Sequence, residues 1–279
     1  MKAGSLFLFW DYDTQWGADR SRGPSGAKNW GPLEFVYTDE LLDLHAKYGV
    51  PACFAVVGAV AVRGERPYHD PHQIRRIHKA GHEVASHSFQ HDWLPGLGRV
   101  KLRETLRLSK ESLEDCIGDP VEAFVPPYNQ PFDYPPGLSF SLSERREAGS
   151  NRVGLKDVCE ALSETGYRFC RVGYWPMHFR ICERILGRPL RTGALVESIA
   201  GVRCLRMNTR GGFDERVVAA LEYCVASRTM MTVYGHPHSL HSGNSQDFRH
   251  VKPFLEKVRG YVQKGLLRVC TPRDIFLES

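Results

Sequence analysis

The chain alternates short apolar runs with segments whose apolar residues recur every three or four positions. Runs rich in β-branched and aromatic residues predict strands, and the longer spacing predicts helices. Strands are predicted at Leu6–Trp10, Ala52–Val57, Glu83–Ser86, Ala123–Val125, Arg168–Val172, Val202–Arg206, Met230–Tyr234 and Leu267–Cys270. Helices are predicted at Asp39–Tyr48, Pro71–Lys79, Lys101–Cys116, Leu155–Thr165, Asp214–Ser227 and Val251–Lys264. About seven or eight such strand–helix units predict an α/β fold with a largely parallel sheet, which fits a (β/α) barrel.

Capping and loop residues between these segments predict where they begin and end. Thr38 is expected to cap the first helix, and Gly49 is expected to end it. Two longer stretches, Thr14–Pro32 and Tyr128–Arg152, are rich in Gly, Pro, Ser and Asn, which predicts irregular loops. Such loops either bind substrate or are surface insertions. At 279 residues, the chain (1–279) is expected to form a single domain.

Potential metal ligands follow two of the predicted strands. Asp11 and Asp13 close the first apolar run, and His87 and His91 follow the third strand. In barrel-like α/β folds the carboxyl ends of the strands converge on one face, so these side chains are expected to meet. Two imidazoles and one carboxylate suit a zinc-like ion and leave one coordination position open, while the second aspartate is free to accept a proton. Turn-forming aspartates and an accidental histidine spacing explain each motif alone equally well; only their joint position favours a metal.

Four motifs give the chain a family resemblance. They are Asp11-Tyr12-Asp13, His87-Ser88-Phe89-Gln90-His91, Phe124-Val125-Pro126-Pro127-Tyr128 and Val233-Tyr234-Gly235-His236-Pro237-His238. In this order and spacing they resemble the motifs of the polysaccharide deacetylases, the NodB-homology group of carbohydrate esterase family 4. The resemblance extends over roughly residues 5 to 272.

The resemblance implies a NodB-like, distorted or incomplete (β/α) barrel and a metal-dependent deacetylase. It implies that Asp11 is the general base and His236 the general acid. It also implies that Asp13, His87 and His91 are the metal ligands. The ion is expected to be Zn²⁺, with Co²⁺, Ni²⁺ and Mn²⁺ as alternatives.

The same resemblance assigns two further roles. The backbone N–H of Tyr128 is expected to hold the oxyanion together with the metal, and Pro127 to fix the loop that presents this N–H, unless the prolines are only a rigid connector. Spacing leaves the choice of the acid between His236 and His238 open. His236 is favoured because it directly follows an apolar run, where the late histidine of the family lies.

The chain departs from the family pattern at one position. Val125 stands where the family usually has an arginine that contacts the base aspartate, and an apolar side chain cannot orient a carboxylate. Arg171, at the end of a predicted strand, is the candidate substitute; a strand-end ion pair at the surface is the alternative. Trp175 is expected to line an acyl pocket or to belong to the core.

Composition limits the binding partners and the cellular location that the sequence predicts. The net charge of +5, from 37 basic and 32 acidic residues, is too small and too evenly spread to predict nucleic-acid binding. The longest apolar segment near the N-terminus has five residues, which predicts neither a signal peptide nor a membrane span. Eight cysteines without Cys-x-x-Cys spacing are expected to be reduced. These features predict a cytoplasmic protein.

Three functions remain open on this evidence. The leading hypothesis is a hydrolase that removes an acyl group, expected to be acetyl, from an amino sugar or related small intracellular molecule. An allantoinase-like hydrolase of cyclic amides uses the same chemistry. A metal-containing carbohydrate-binding protein with weak or no turnover is the third, since Val125 replaces the arginine. The expected partner is a carbohydrate or small-molecule substrate, and the oligomeric state is left open.

Overall fold

The computed structural model describes residues 3–21, 28–131, 152–173, 195–209 and 211–277. In these ranges nine strands form one sheet in the order β6-β7-β5-β4-β3-β2-β1-β8, and β9 pairs with β1. All pairings are parallel except that of β6 with β7. The strands are β1 Gly4–Tyr12, β2 Cys53–Val56, β3 Glu83–Ser86, β4 Ala123–Phe124, β5 Phe169–Val172, β6 Val196–Ile199, β7 Val202–Arg206, β8 Met230–Gly235 and β9 Leu267–Cys270. The sheet is curled into a distorted (β/α) barrel, as predicted.

Helices connect successive strands and supply the apolar side chains that cover the sheet. In the described ranges they are α1 Thr14–Asp19, α2 Gly31–Tyr48, α3 Pro71–Lys79, α4 Arg99–Ile117, α5 Leu155–Glu164, α6 Glu215–Ser227, α7 Phe248–Gln263 and α8 Pro272–Leu277. Short 3₁₀ turns at Gly58–Ala61, Leu94–Gly96, Pro127–Asn129 and Pro237–Ser239 follow strands or link elements. None of the described helices is long and apolar enough to cross a membrane.

Two predictions near the N-terminus were wrong. Helix α2 begins at Gly31, with Pro32 in its first turn, so Thr38 lies buried inside the helix and does not cap it. The stretch Thr14–Pro32 is not irregular throughout, because α1 begins directly after Asp13. Glycine and proline marked the start of a helix here instead of a loop. The predicted end of α2 at Gly49 is confirmed: Gly49 has φ 64°, the left-handed conformation that glycine adopts without strain.

Strand β6 was missed by the sequence pattern. It has only four residues, and none of them is fully buried, so no run or alternation of apolar residues marks it. The strand is joined to β7 by a two-residue turn in which Ala200 and Gly201 have φ of 49° and 82°. Positive φ at both central residues is the geometry of a tight β-hairpin, which explains the one antiparallel pairing.

The alternation of side chains along each strand separates two cores. On β1, Leu6, Leu8 and Trp10 point to the outer core between sheet and helices, whereas Phe7 and Phe9 point into the smaller core inside the curl. The inner core is made mostly of residues from neighbouring strands and the positions just after them: Phe7, Phe9, Cys53, Ala55, Ala85, Ala123, Val125, Phe169, Leu205 and Cys270. Ile275 and Phe276 of α8 complete it. Because side chains alternate with period two, the inward positions at the strand ends face one common space.

Two buried histidines lie in the outer core. Trp10 Nε1 donates to His45 Nε2 (2.9 Å), His45 Nδ1 donates to the Val50 carbonyl (2.6 Å), and His82 Nδ1 accepts from the Ala52 amide (3.1 Å). Burial lowers the pKa of His45 to about 3, with the nearby His82 lowering it further, and burial lowers the pKa of His82 to about 4. Both imidazoles are therefore neutral in the folded protein at neutral pH.

The burial of His45 and His82 predicts that the folded protein loses stability at acidic pH. Both histidines have a lower pKa in the folded than in the unfolded chain, so stability is full above about pH 6.5 and falls as the unfolded state takes up protons below that value. Each histidine contributes a slope of up to about 1.4 kcal/mol per pH unit. Denaturant unfolding at pH 7 to 4.5 measures this slope. His45→Gln is expected to lower the slope of stability against pH. His72→Gln, at an exposed position, is expected to leave the slope unchanged. Equal slopes in the parent and both variants would contradict this effect of buried histidines.

Candidate metal centre

The candidate ligands occupy inward positions just beyond the strand ends. Asp11 and Asp13 continue the inward alternation of Phe7 and Phe9, and His87 continues that of Ala85 on β3. Because β1, β2 and β3 are neighbouring parallel strands, these ends lie side by side. The convergence predicted from the sequence is thus a consequence of period-two alternation in adjacent strands.

The three predicted ligands form a compact set. His87 Nε2 lies 3.3 Å, and His91 Nε2 3.5 Å, from Asp13 Oδ1. One ligand atom from each of these buried residues lies within 4.8 Å of the others. Tetrahedral zinc with bonds of about 2.0–2.1 Å separates its ligand atoms by about 3.3–3.4 Å, so the spacing fits such an ion. Asp13 Oδ1 is buried without a hydrogen-bond partner in the described part of the chain, which is unfavourable unless a cation lies beside it.

The two histidines meet through a tight turn and not through a helix. Ser88 and His91 have φ of 60° and 58°, a left-handed conformation that is unfavourable for residues with a Cβ. Hydrogen bonds compensate for this: Ser88 Oγ accepts from the Asp92 amide (2.7 Å), and the Phe89 amide donates to the Thr105 hydroxyl (3.2 Å). The turn brings the imidazole rings of His87 and His91 to 5.1 Å between centroids. Strained backbone of this kind is concentrated at functional sites.

The protonation states of the three candidate ligands suit the binding of a metal ion. His87 Nδ1 donates to the Val125 carbonyl (2.7 Å), which leaves the lone pair of Nε2 directed toward Asp13. Burial lowers the pKa of His91, partly offset by Asp13. Burial alone raises the pKa of Asp13, but the neighbouring imidazoles hold it well below its ordinary value. Neutral imidazoles and an ionised carboxylate are the forms that bind a divalent cation.

Arg171 forms the strongest charged contact of the site. Its Nη1 and Nη2 donate to Asp11 Oδ1 (2.7 Å) and Oδ2 (2.6 Å), and Nη2 also donates to Asn129 Oδ1 (3.0 Å). The rings of Phe9 and Tyr234 lie 5.2 and 4.9 Å from the guanidinium carbon. Burial raises the pKa of Asp11, but the charge of Arg171 outweighs it and the pKa is lowered. The expected pairing of Arg171 with Asp11 is therefore present, and Asp11 is ionised at neutral pH.

The predicted oxyanion loop borders the ligand set. Pro127 is buried, and Tyr128 has φ 59° within the 3₁₀ turn Pro127–Asn129. The Tyr128 ring packs edge-on against His91 at 4.6 Å, and its hydroxyl donates to the Arg20 carbonyl (2.7 Å). The oxyanion role of its backbone N–H stays a prediction. Trp175 lies outside the described residues.

Other side chains complete a cleft of about 480 Å³ above the ligand set. His236 Nε2 lies 4.0 Å from Asp13 Oδ2, and both its backbone N–H and its Nδ1 are directed at Gln246 Oε1 (2.6 and 3.1 Å). His238 Nδ1 lies 2.9 Å from Glu34 Oε2. The cleft is lined by Asp11, Asp13, Gly17, Ser21, Trp30, His87, His91, Tyr128, Asn129, Tyr234, His236, His238, Ser239 and Gln246.

Sequence reasoning assigned no role to Trp30, Asn129 and Gln246, which line the cleft, or to Glu34, which contacts His238 beside it. Glu34 and Trp30 precede the predicted start of the first helix, and the other two lie in loops. None belongs to a motif, and their roles depend on side chains more than 30 positions away or on loop geometry. The local signals near them were the loop composition of Thr14–Pro32, which contains Trp30, and the proline-rich motif before Asn129 with the predicted loop that contains this residue.

Known proteins resemble this chain in sequence. Residues 31–134 match the family model of the polysaccharide deacetylases. A chitooligosaccharide deacetylase of Sinorhizobium fredii is 37% identical over 94 residues, which are 33% of this chain and 41% of that protein. A peptidoglycan-N-acetylglucosamine deacetylase of Bacillus cereus is 28% identical over 92 residues, 33% of this chain and 40% of that protein. Over residues 31–134 the chain is similar in sequence to the polysaccharide deacetylases.

The alignments to these two curated relatives span about two fifths of their length. The family match includes the histidine motif and the Pro-Tyr motif of this chain, but neither Asp11, Asp13 nor His236. The fold brings these three residues into the same cleft as the histidines of the matched segment. In place of the arginine of the family pattern, Val125 supplies a backbone carbonyl to His87, and Arg171 of β5 supplies the cation to Asp11.

Solved structures share the fold of this chain. A Mycobacterium smegmatis protein assigned to the polysaccharide deacetylases superimposes with a TM-score of 0.63, covering 99% of this chain and 90% of its own, at 16% identity. A family 4 acetyl xylan esterase of Clostridium thermocellum, solved with a cobalt ion, gives 0.51, covering 98% and 90%, at 14% identity. At such identities the likeness concerns the fold, the distorted (β/α) barrel that the motifs predicted.

Gly17 offers a test of the metal site that leaves all ligands in place. A Cβ at Gly17 would lie 2.5 Å from Asp13 Cβ and 3.3 Å from Asp13 Oδ2. Gly17→Ala is therefore expected to displace Asp13 and to weaken Zn²⁺ binding by about ten-fold or more, measured by calorimetry. Gly260→Ala is the matched control, because nothing lies within 4 Å of its added Cβ. Equal affinities in the two variants would exclude Asp13 as a ligand.

Removing Arg171 tests the buried ion pair. Arg171→Met leaves Asp11 as an unpaired buried carboxylate, which is expected to lower the free energy of unfolding by about 3–5 kcal/mol. The double variant Asp11→Leu/Arg171→Met removes both charges and is expected to recover most of this loss. Denaturant unfolding at pH 7 measures both. If Arg171→Met is as stable as the parent protein, the ion pair between Arg171 and Asp11 does not contribute to stability.

Proposed function

We propose that this chain is a metal-dependent hydrolase that removes an acetyl group from an acetylated sugar. The observation that carries the proposal is the arrangement at the base of the cleft: a three-ligand set, Asp13, His87 and His91, beside a separate carboxylate, Asp11, fixed by Arg171. Three protein ligands are the number found in catalytic zinc sites, which keep one position for water. Relatives named for the deacetylation of chitooligosaccharides and peptidoglycan support the choice of bond and substrate class.

The residues divide the chemistry between them. Asp13, His87 and His91 would hold the cation, which when bound polarises the acyl oxygen and lowers the pKa of water. Asp11 is ionised, and each carboxylate oxygen that accepts from Arg171 has a further lone pair with which to accept a proton from the attacking water. The guanidinium fixes the direction of that lone pair. The imidazoles of His236 and His238 border the same cleft and can return a proton to the leaving group.

We also propose a small intracellular substrate, an acetylated amino sugar or a related molecule, and Zn²⁺ as the metal. The thiols support this setting: within the described ranges, the seven cysteines at 53, 116, 159, 170, 204, 224 and 270 are all free. A donor set of two imidazoles and one carboxylate supports zinc. The alternative of a binding protein without turnover was based on Val125, which replaces the arginine of the family. The ion pair of Arg171 with Asp11 makes this alternative less favoured, because Arg171 supplies the cation that Val125 lacks.

Two substitutions separate metal binding from turnover. Asp11→Asn is expected to keep bound Zn²⁺ but to lower acetate release by at least about 100-fold, because the amide is not a base. His87→Ala is expected to lose both the metal and the activity. Metal content by mass spectrometry and acetate release from acetylated amino sugars, nucleotide sugars and cyclic amides measure the two properties.

His72→Ala, at an exposed histidine, is the control that should retain both properties. Undiminished turnover by Asp11→Asn would reject its role as base. Metal binding without hydrolysis of any substrate in the panel by the parent protein would favour a binding protein instead.

A further inference from the structure

Two histidines border the cleft with different hydrogen-bond partners. His236 directly follows β8, and His238 lies in the next 3₁₀ turn, Pro237–Ser239. Their ring centroids are 5.2 Å apart, and both rings line the cleft. A general acid must hold a proton before it donates one, so the partner of each Nδ1 decides which ring is suited to that role.

His236 has a neutral partner. Its Nδ1 and its backbone N–H both point at the amide oxygen of Gln246. An amide oxygen accepts only, so Nδ1 carries a hydrogen, and Nε2 lies 4.0 Å from Asp13 Oδ2. Gln246 orients the ring and carries no charge.

His238 has a buried carboxylate as its partner. Glu34 is fully buried, and its oxygens accept from His238 Nδ1 (2.9 Å), the His238 amide (3.3 Å) and the Thr14 amide (3.2 Å). In the part of the chain that the structure describes, its one ion pair is with His238. A buried carboxylate is costly without a positive partner, and the imidazolium of His238 can supply that charge.

The surroundings of His238 favour the charged ring. Burial lowers the pKa of His238, but Glu34 raises it by its charge and hydrogen bond, and Asp13 and Asp11 add to this, so the pKa is raised overall. The indole of Trp30 stacks on the ring at 4.5 Å and 16°, which fixes the ring plane and places a cation against an aromatic face. No described residue forms a hydrogen bond with His238 Nε2.

We infer that His238, oriented by Glu34 and Trp30, is the residue that protonates the leaving nitrogen, and that His236 is not that residue. The inference rests on the proposed deacetylation. As the C–N bond breaks, its electron pair passes to nitrogen, and the proton on His238 Nε2 moves to that nitrogen. Water supplies the OH that joins the acyl carbon. The proton taken up by Asp11 leaves to solvent, and His238 is reprotonated from solvent, which closes the cycle with acetate and amine as products.

Leaving-group dependence tests this assignment. An amine must be protonated to leave, whereas 4-nitrophenolate leaves without a proton. In the zinc-loaded protein, His238→Asn is therefore expected to lower kcat/KM for an N-acetylated chitooligosaccharide by about 100- to 1,000-fold and that for 4-nitrophenyl acetate by less than about 5-fold. The matched variant His236→Asn is expected to affect both substrates by similar factors.

The opposite pattern would overturn the inference: selective loss of amide hydrolysis in His236→Asn, with His238→Asn active on both substrates. A parent protein that hydrolyses neither substrate, despite bound zinc, would instead reject the proposed function and this inference with it. The two failures are therefore distinguishable.

Glu34 is inferred to be a positioning residue, and its test is a pH profile. Glu34→Gln keeps the side-chain shape and an oxygen for the Thr14 amide but removes the charge. The basic limb of kcat/KM for the amide substrate is expected to move to lower pH by about one unit, because His238 loses its proton more readily. A purely structural role would lower the rate at all pH values without moving this limb, and that result would overturn the inference.

A further test uses only the parent protein, so it does not require any variant to fold. NMR titration of the histidine rings is expected to give His238 a pKa above about 6.5, the value of an unperturbed histidine. A value below this would contradict the retained proton on His238 and with it the inference.

Discussion

The site depends on the period-two alternation of side chains in parallel strands that lie next to one another. On β1 the inward positions are filled first by Phe7 and Phe9 and then by Asp11 and Asp13. The same inward series on other strands leads to His87, Arg171 and His236. The apolar members close the inner core, and the polar members beyond them form the base of the cleft. A shift of β1 by one residue would turn both aspartates to the other face of the sheet.

Charge balance explains why these buried groups occur together. Asp11 is neutralised by Arg171, and Glu34 Oε2 lies 2.9 Å from His238 Nδ1, whose ring neutralises Glu34 when it is protonated. Asp13 differs, because its neighbours His87 and His91 are imidazoles and its Oδ1 has no hydrogen-bond partner among the described residues. Each uncompensated buried charge costs several kcal/mol. A divalent cation bound here would remove this imbalance and would use the same three residues as ligands, which would tie the stability of the site to metal binding.

Much of the fold was predictable because its signals are local. The bounds of β3, β7, β9 and α3 agree with the pattern of apolar residues, and Asp70 Oδ1 accepts from the Gln73 amide (2.9 Å) to cap α3. The errors also have local causes. Strand β6 has no buried face to give alternation, and α2 starts at Gly31 and Pro32, residues that elsewhere mark loops.

The sequence by itself determined the repeated strand–helix units and the residue types of the metal set, because both follow from spacing along the chain. Only the tertiary structure decided which distant groups became partners. Arg171 reaches Asp11 across 160 positions, and Glu34 reaches His238 across 204. Side-chain contacts of this kind depend on which strands are neighbours and on how loops turn, and no local pattern encodes them. For that reason the motifs indicated where chemistry takes place, and the fold assigned a partner to each group.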